Sequence, residues 1–281
     1  MRNVECEMRN IRVSFAYRHD LALLFRIPHS EFRIGVIPHS AFLIDVSCVR
    51  MPRSSTPRAP KVQTAQRFTR KLLAWYARAA RDLPWRRTRD PYRIVVSEFM
   101  LQQTQVSRVL EYYPRFLARF PTVGHLARAR PKAVREAWDG LGYYARAANL
   151  HALARVVSEE HDGTLPSDPE ALLKLPGVGP YTAGAVAAFA YERPVPAVDT
   201  NVARVIRRFF YGEWGKGNGE REIWRLAEAL VPKNGKRAWK FNQAIMELGA
   251  LICVARRPRC PDCPVRGECR TGRRLGRRLD G

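Results

Sequence analysis

Between Gln63 and about Ala250, apolar residues recur every three or four positions, as in Phe68, Leu72, Leu73, Trp75 and Tyr76, and proline or glycine marks the breaks. That spacing gathers apolar side chains on one face of an α-helix, so the pattern predicts an all-α body. Helix starts are legible too. In Ser167-Asp168-Pro169-Glu170 the serine reads as the cap, the proline falls early in the first turn, and the glutamate three residues on completes a capping box. The helix this predicts runs through Ala171-Leu172-Leu173 and stops at Pro176-Gly177.

The first fifty residues do not follow this pattern. Ile27-Pro28-His29-Ser30-Glu31-Phe32 recurs ten positions later as Ile37-Pro38-His39-Ser40-Ala41-Phe42, a period too short for a solenoid repeat. The segment reads as translated upstream sequence with the start at Met51, the alternative being a small β-rich appendage. On the first reading Cys6 and Cys48 carry no function. From Met51 to about Val62 the chain is polar and proline-rich, a linker or basic arm, so residues 1–62 are taken as an extension.

With 281 residues, 46% of them hydrophobic, the chain has enough apolar surface for a real core. Its formal net charge of +23 draws polyanions, and nucleic acid is the first partner to consider. No stretch approaches the eighteen or so apolar residues of a membrane span, and the start lacks a signal-peptide layout, so the expectation is a cytoplasmic, nucleoid-associated protein with no membrane partner. Four of the six cysteines crowd into 253–269, which in a reducing compartment reads as a metal site. Four thiolates suit either a tetrahedral zinc or a [4Fe–4S] cluster, and the chemistry alone does not separate them.

In Leu175-Pro176-Gly177-Val178-Gly179-Pro180-Tyr181-Thr182 two glycines sit in a tight turn between helical runs. Such a turn lets backbone N–H groups and a helix N-terminus approach a phosphate. This hairpin, over 175–186, followed by Val198-Asp199-Thr200-Asn201, resembles the helix-hairpin-helix DNA glycosylase superfamily. Leu83-Pro84-Trp85-Arg86, Ser97-Glu98-Phe99-Met100-Leu101-Gln102-Gln103-Thr104-Gln105 and Gly140-Leu141-Gly142-Tyr143-Tyr144-Ala145-Arg146 are similar to its MutY branch, the adenine glycosylases that act opposite 8-oxoguanine or guanine. The similarity covers about residues 68–270, and the Cys253-x6-Cys260-x2-Cys263-x5-Cys269 spacing looks like that branch's [4Fe–4S] loop, over 253–269.

The resemblance implies two helical lobes, the glycosylase body at 63–252, a basic tail at 270–281, and a monomer acting on double-stranded DNA with mismatched or oxidised pairs. Breaking an N-glycosidic bond calls for a proton donor to the leaving base and a carboxylate near the developing sugar cation. Glu98 and Asp199 are the natural pair. Glu98 lies in an apolar run that should raise its pKa, and Asp199, placed as a helix cap, should stay ionised. Where bifunctional relatives carry a Schiff-base lysine this chain has Tyr181, so a monofunctional enzyme is expected. By resemblance Gln103 and Tyr143 are wedge residues beside the lesion, Arg86, Tyr181 and Gln243 line the adenine pocket, and Asn201 supports the aspartate. The alternative for Tyr143 and Tyr144 is core packing of one of them, since paired tyrosines cannot share one face of a helix.

Family members usually continue into a further domain that helps recognise 8-oxoguanine. This chain ends after the cysteine run, so the expectation is that the domain is missing. Two rival readings remain: a thymine or uracil glycosylase for mismatches with guanine, and a non-catalytic damage-sensing protein. The paired carboxylates argue against the second.

Overall fold

The computed structural model describes residues 3–8 and 11–16, as backbone alone, and residues 62–212 and 219–276. The chain divides into two units, Met1–Thr56 and Pro57–Gly281. The first holds an antiparallel hairpin of β1 (Asn3–Met8) and β2 (Ile11–Ala16), with Asn3 opposite Ala16 and Met8 opposite Ile11. The ten-residue repeat and Cys48 lie outside the described residues.

The second unit is helical throughout its described length. It runs α1 (Val62–Ala79), a 3-10 turn at Pro84–Arg86, α2 (Pro91–Leu101), α3 (Val106–Arg119), α4 (Val123–Ala127), α5 (Pro131–Ala137), α6 (Ala145–Glu160), α7 (Pro169–Leu172) and α8 (Pro180–Tyr191). There follow α9 (Thr200–Ile206), continuous with a π turn at Arg207–Tyr211, then α10 (Glu220–Leu230), α11 (Gly235–Leu251), a 3-10 turn at Cys260–Asp262 and α12 (Arg270–Gly276). Among the described residues no helix is long and apolar enough to cross a membrane.

Short polar side chains start several of these helices by accepting the orphan N–H groups of the first turn. Asp90 accepts from Tyr92 N and Arg93 N ahead of Pro91, and Asn234 accepts from Arg237 N. At α7 the cap is Asp168, which accepts from Ala171 N at 3.0 Å, and not Ser167 as the capping-box pattern suggested. Pro169 takes the first helical position, so the extended residue before it becomes the cap. The stretch read as a basic tail opens with α12, because Thr271 is buried and its hydroxyl donates to Arg208 O at 2.9 Å.

The apolar faces build two cores. One is made by α2 through α8, around Phe99, Phe116, Trp138, Leu150 and Val186. The other joins Phe68 and Leu72 of α1 to Val205, Leu226, Phe241 and Leu248 from α9, α10 and α11. Each such side chain contributes roughly 1.5–3 kcal/mol through burial. The first helix thus packs with the last ones, skipping the helices between.

The segment joining α8 to α9 is fixed by backbone contact. A Cβ on Gly184 of α8 would stand 2.2 Å from Pro196 O, so only glycine lets the two backbones meet. Asn242 of α11 clamps the same segment, donating to Val195 O at 2.9 Å and accepting from Ala197 N at 3.1 Å. Two residues later comes Asp199. We therefore expect Gly184→Ala to cost about 1–3 kcal/mol, read as a fall in Tm of roughly 3–10 °C by thermal denaturation. An unchanged Tm would mean the contact is not tight.

Candidate active site and cysteine loop

Glu98 sits on α2 between Ile94, Val95, Val96 and Phe99, Met100, all buried, and is itself only 4% exposed. The Tyr181 hydroxyl, from the first turn of α8, donates to Glu98 Oε2 at 2.6 Å. Burial pushes the Glu98 carboxyl up to about 7; the Tyr181 hydrogen bond and Arg86 pull it down, and the charge of Asp199 pushes it further up. Tyr181 is raised well above its ordinary value, by burial first and then by Glu98 and Asp199. The tyrosine therefore keeps its proton and acts as the donor.

Asp199 caps α9. Its Oδ1 accepts from Val202 N at 2.7 Å and its Oδ2 from Asn201 Nδ2 at 2.8 Å. Capping alone would hold this carboxyl low, but burial outweighs the hydrogen bonds and it stands above its ordinary value, a correction to the reading from helix position. Asn201 is held in turn by Arg204, whose Nη2 donates to Asn201 Oδ1 at 2.6 Å and to Gly249 O at 2.8 Å. A Cβ on Gly249 would meet Asn201 Cβ at 2.6 Å, so α9 and α11 are in close contact here.

Arg86 lies near enough to Glu98 to lower its pKa, yet its guanidinium is committed elsewhere. Nη2 donates to Glu247 Oε2 at 2.8 Å and Nη1 to Arg81 O at 3.0 Å. Arg81 meets the same carboxylate through Nε and Nη2, both at 2.8 Å, and its backbone N at 2.9 Å. Burial would raise Glu247, but these hydrogen bonds and the charge of Arg86 bring it down to about 2. Gln243, also buried, stands one turn before Glu247 on α11. Sequence reasoning missed Glu247, although a glutamate within the apolar stretch of α11 is a signal that could have found it. Arg81, Asn242 and Arg204 were missed as well.

Gln103 and Tyr143 share an unusual feature. Both are exposed and both adopt the left-handed region, with φ of 57° and 48°. Neither tyrosine of the pair enters the core: Tyr143 is 62% exposed and Tyr144 37%. The reason is that α6 begins only at Ala145, which leaves both in the loop. Tyr144 donates to Asp139 and lies under Arg135, whose guanidinium is 4.8 Å from the ring centre.

The two hairpin glycines serve different needs. Gly177 has φ 74°, and a Cβ there would stand 2.7 Å from Asn149 Cβ and 2.9 Å from Phe99 Cε1. A Cβ on Gly179, the N-cap of α8, would meet nothing within 4 Å. The first glycine makes the turn, and the second leaves the helix N-terminus open to solvent.

Cys253, Cys260, Cys263 and Cys269 line one cavity together with Arg208 and Arg266. None forms a disulfide, and among the described residues no group of three or more Cys, His, Asp or Glu is arranged to hold a metal ion. Burial pushes the Cys260, Cys263 and Cys269 thiols up, Cys263 to about 12, and the neighbouring N–H donors and arginines offset this only in part. Arg208 Nη1 and Gly272 N each donate toward sulfur, of Cys253 and Cys269, at 3.4 Å. Arg208 also reaches Val254 O at 2.7 Å and Ala255 O at 2.6 Å, and Arg204 Nε donates to Cys253 O at 2.7 Å. A chain of hydrogen bonds therefore runs from Asp199 through Asn201 and Arg204 to the backbone of the first cysteine.

Residues 96–233, which hold the hairpin, the buried Glu98 and the capping Asp199, match the HhH-GPD superfamily of base excision DNA repair proteins. The chain is 48% identical over 200 residues to the adenine DNA glycosylase of Mycolicibacterium smegmatis, covering 71% of this chain and 67% of that protein. It is 43% identical over 219 residues to that of Homo sapiens, covering 74% of this chain and 40% of the other. This chain belongs to the adenine DNA glycosylase family. It spans about two thirds or less of the length of these relatives. Among solved structures it resembles a thermostable thymine-DNA glycosylase, with TM-score 0.70, 33% identity, and coverage of 75% of this chain and 98% of that one. A trapped endonuclease III–DNA covalent intermediate has TM-score 0.66 at 24% identity, covering 76% and 98%, a likeness of fold.

The raised Glu98 has a consequence for stability. Between about 4.5 and about 7 the folded state keeps a proton that the unfolded chain releases, so stability from this group falls as pH rises through that window. Glu98→Gln removes the ionisation and keeps an acceptor for Tyr181. We expect the variant to lose excision and, above pH 7, to be more stable than wild type by on the order of 3 kcal/mol, the gap closing toward pH 4, as measured by Tm against pH. A constant gap across that range would disprove the burial argument.

Proposed function

We propose that the protein removes adenine opposite 8-oxoguanine or guanine in double-stranded DNA by hydrolysing the N-glycosidic bond, as a monofunctional enzyme and a monomer. The observation that carries this reading is Glu98, buried, hydrogen-bonded by Tyr181 and poised near neutrality beside Asp199. As the bond from C1′ to the base breaks, its electron pair leaves with adenine and the Glu98 proton neutralises the departing nitrogen. The Asp199 carboxylate stabilises the sugar cation left behind. Water then adds to C1′, and its proton returns to the Glu98 carboxylate. Tyr181 has no amine, so no imine forms and the strand is not cut by β-elimination.

Supporting roles follow from position. The exposed N-terminus of α8 at Gly179 suits a backbone phosphate, and exposed Gln103 and Tyr143 suit insertion into the gap left when adenine leaves the stack. Arg86, Asn201 and Gln243 shape the pocket around the two carboxyls. Cys253, Cys260, Cys263 and Cys269 would hold a [4Fe–4S] cluster, which supplies a rigid fold for the loop bearing exposed Arg256 and Arg257.

The test is single-turnover cleavage of duplexes carrying A opposite 8-oxoguanine, A opposite G, and T or U opposite G, with alkali added afterwards to break abasic strands. Adenine release with breaks only after alkali is expected, with the rate falling above pH 7 as Glu98 loses its proton. The likeness to the thymine-DNA glycosylase makes release of T or U alone the alternative result. Purified protein should hold about four iron and four acid-labile sulfide per chain. Zinc without sulfide would overturn the cluster.

A further inference from the structure

We infer that Arg146 is a positioning residue that ties the Gln103 turn to the Tyr143 turn, so that the two wedge side chains enter DNA as one rigid device. This rests on the reading of Gln103 and Tyr143 as the wedge.

Two strained loops meet at this guanidinium. Leu101 to Thr104 form a tight turn closed by Thr104 N donating to Leu101 O at 3.3 Å, with Gln102 at φ −58°, ψ 110° and Gln103 at φ 57°. That is a type II turn with glutamine where glycine is favoured. In the other loop, Gly140, Gly142 and Tyr143 all have positive φ, and a tyrosine is again a poor occupant of that region. At Gln103 and Tyr143 the residue type does not prefer the shape it holds, so something outside must hold it.

Arg146, in the first turn of α6, is only 8% exposed. Its Nη1 donates to Phe99 O at 3.0 Å, to Met100 O at 2.9 Å and to Gln102 O, the carbonyls that end α2 and enter the Gln103 turn. Its Nη2 donates to Thr104 Oγ1 at 3.0 Å on the far side of Gln103, and to Leu141 O at 3.1 Å and Gly142 O at 3.2 Å just before Tyr143. The guanidinium carbon lies 5.3 Å from the centre of the Tyr143 ring and 5.6 Å from that of Trp138. Trp138 Nε1 donates to the same Gly142 carbonyl at 3.2 Å.

The arrangement is costly for a merely structural residue. Arg146 makes no ion pair among the described residues, and its Nε is buried without a hydrogen-bond partner. Carbonyl oxygens, the Thr104 hydroxyl and the Tyr143 and Trp138 rings meet its charge in place of a carboxylate. A planar fork with two terminal nitrogens can serve two backbones at once, whereas a lysine ammonium is a single point of donation.

The test compares wild type, Arg146→Lys, Gln103→Ala and the double variant on two duplexes: one with adenine stacked opposite 8-oxoguanine, one with adenine opposite an abasic analogue, where the base is already loosely stacked. Rates are single-turnover and normalised to the active fraction by burst amplitude, with 2-aminopurine fluorescence as an independent reading of base flipping. The expected result for Arg146→Lys is a loss of about tenfold or more on the stacked duplex, about threefold or less on the loose one, and no further loss when Gln103→Ala is added. Slower 2-aminopurine unstacking should accompany it. Equal loss on both duplexes, or losses that multiply in the double variant, would overturn the inference and leave Arg146 a helix-end fastener. If Arg146→Lys does not fold, Thr104→Val removes one Nη2 partner and should slow excision on the stacked duplex alone; equal effects on both would count against the inference. Gln103→Ala and Tyr143→Ala behaving as wild type on both duplexes would overturn the wedge reading and this inference with it, while absence of adenine release by wild type would overturn the proposed function itself.

Discussion

A carboxyl group buried in an apolar wall exposes a protein to a desolvation cost that only neighbours can offset, and the arrangement around Glu98 is organised by that cost. One core supplies the wall, from α2 and the first turn of α8. Asp199, the second carboxyl, comes from the start of α9, whose own side chains belong to the other core. The charge of Asp199 raises the pKa of Glu98, and each of the two carboxyls is anchored by a helix of its own core. The two-core architecture provides that separation, with the pair at the seam.

The anchoring of Asp199 is itself layered. Gly184 and Asn242 fix the approach to it, Asn201 and the Val202 amide hold its two oxygens, and Arg204 connects this group to the backbone at Cys253. Arg208 then links that backbone to the first cysteine sulfur. Order in the cysteine loop and the placement of the aspartate are thus parts of one hydrogen-bonded structure. The loop is far from being an independent appendage.

Much of this was legible in the sequence, for identifiable reasons. Helical periodicity marked the body, because a 3.6-residue repeat survives in any amphipathic helix. The apolar run around Glu98 foretold its raised pKa, and Asp199 ahead of the helical run from Val202 foretold a cap. What stayed hidden depends on distance along the chain. Glu247 meets Arg81 and Arg86 across 166 and 161 positions, and no local pattern encodes such a pairing. The position of the α7 cap turned on one proline, and the net direction at Asp199 on a contest between burial and hydrogen bonds that no sequence motif weighs. The left-handed backbone at Gln103 and Tyr143 was invisible for the opposite reason: the residue types there argue against it.

The pairing of the first helix with the last ones has a bearing on how the chain is made. Lys71 meets Glu268 across 197 positions, and Phe68 and Leu72 find their core with side chains from α9 and the residues that follow it. A ribosome delivers α1 well before its partners, whereas the central core can close from its own consecutive residues. During synthesis the apolar face of α1 is therefore left without a partner while the middle of the protein folds. Contacts this distant in sequence form slowly, so the interval is one in which the newborn chain is open to association with other chains.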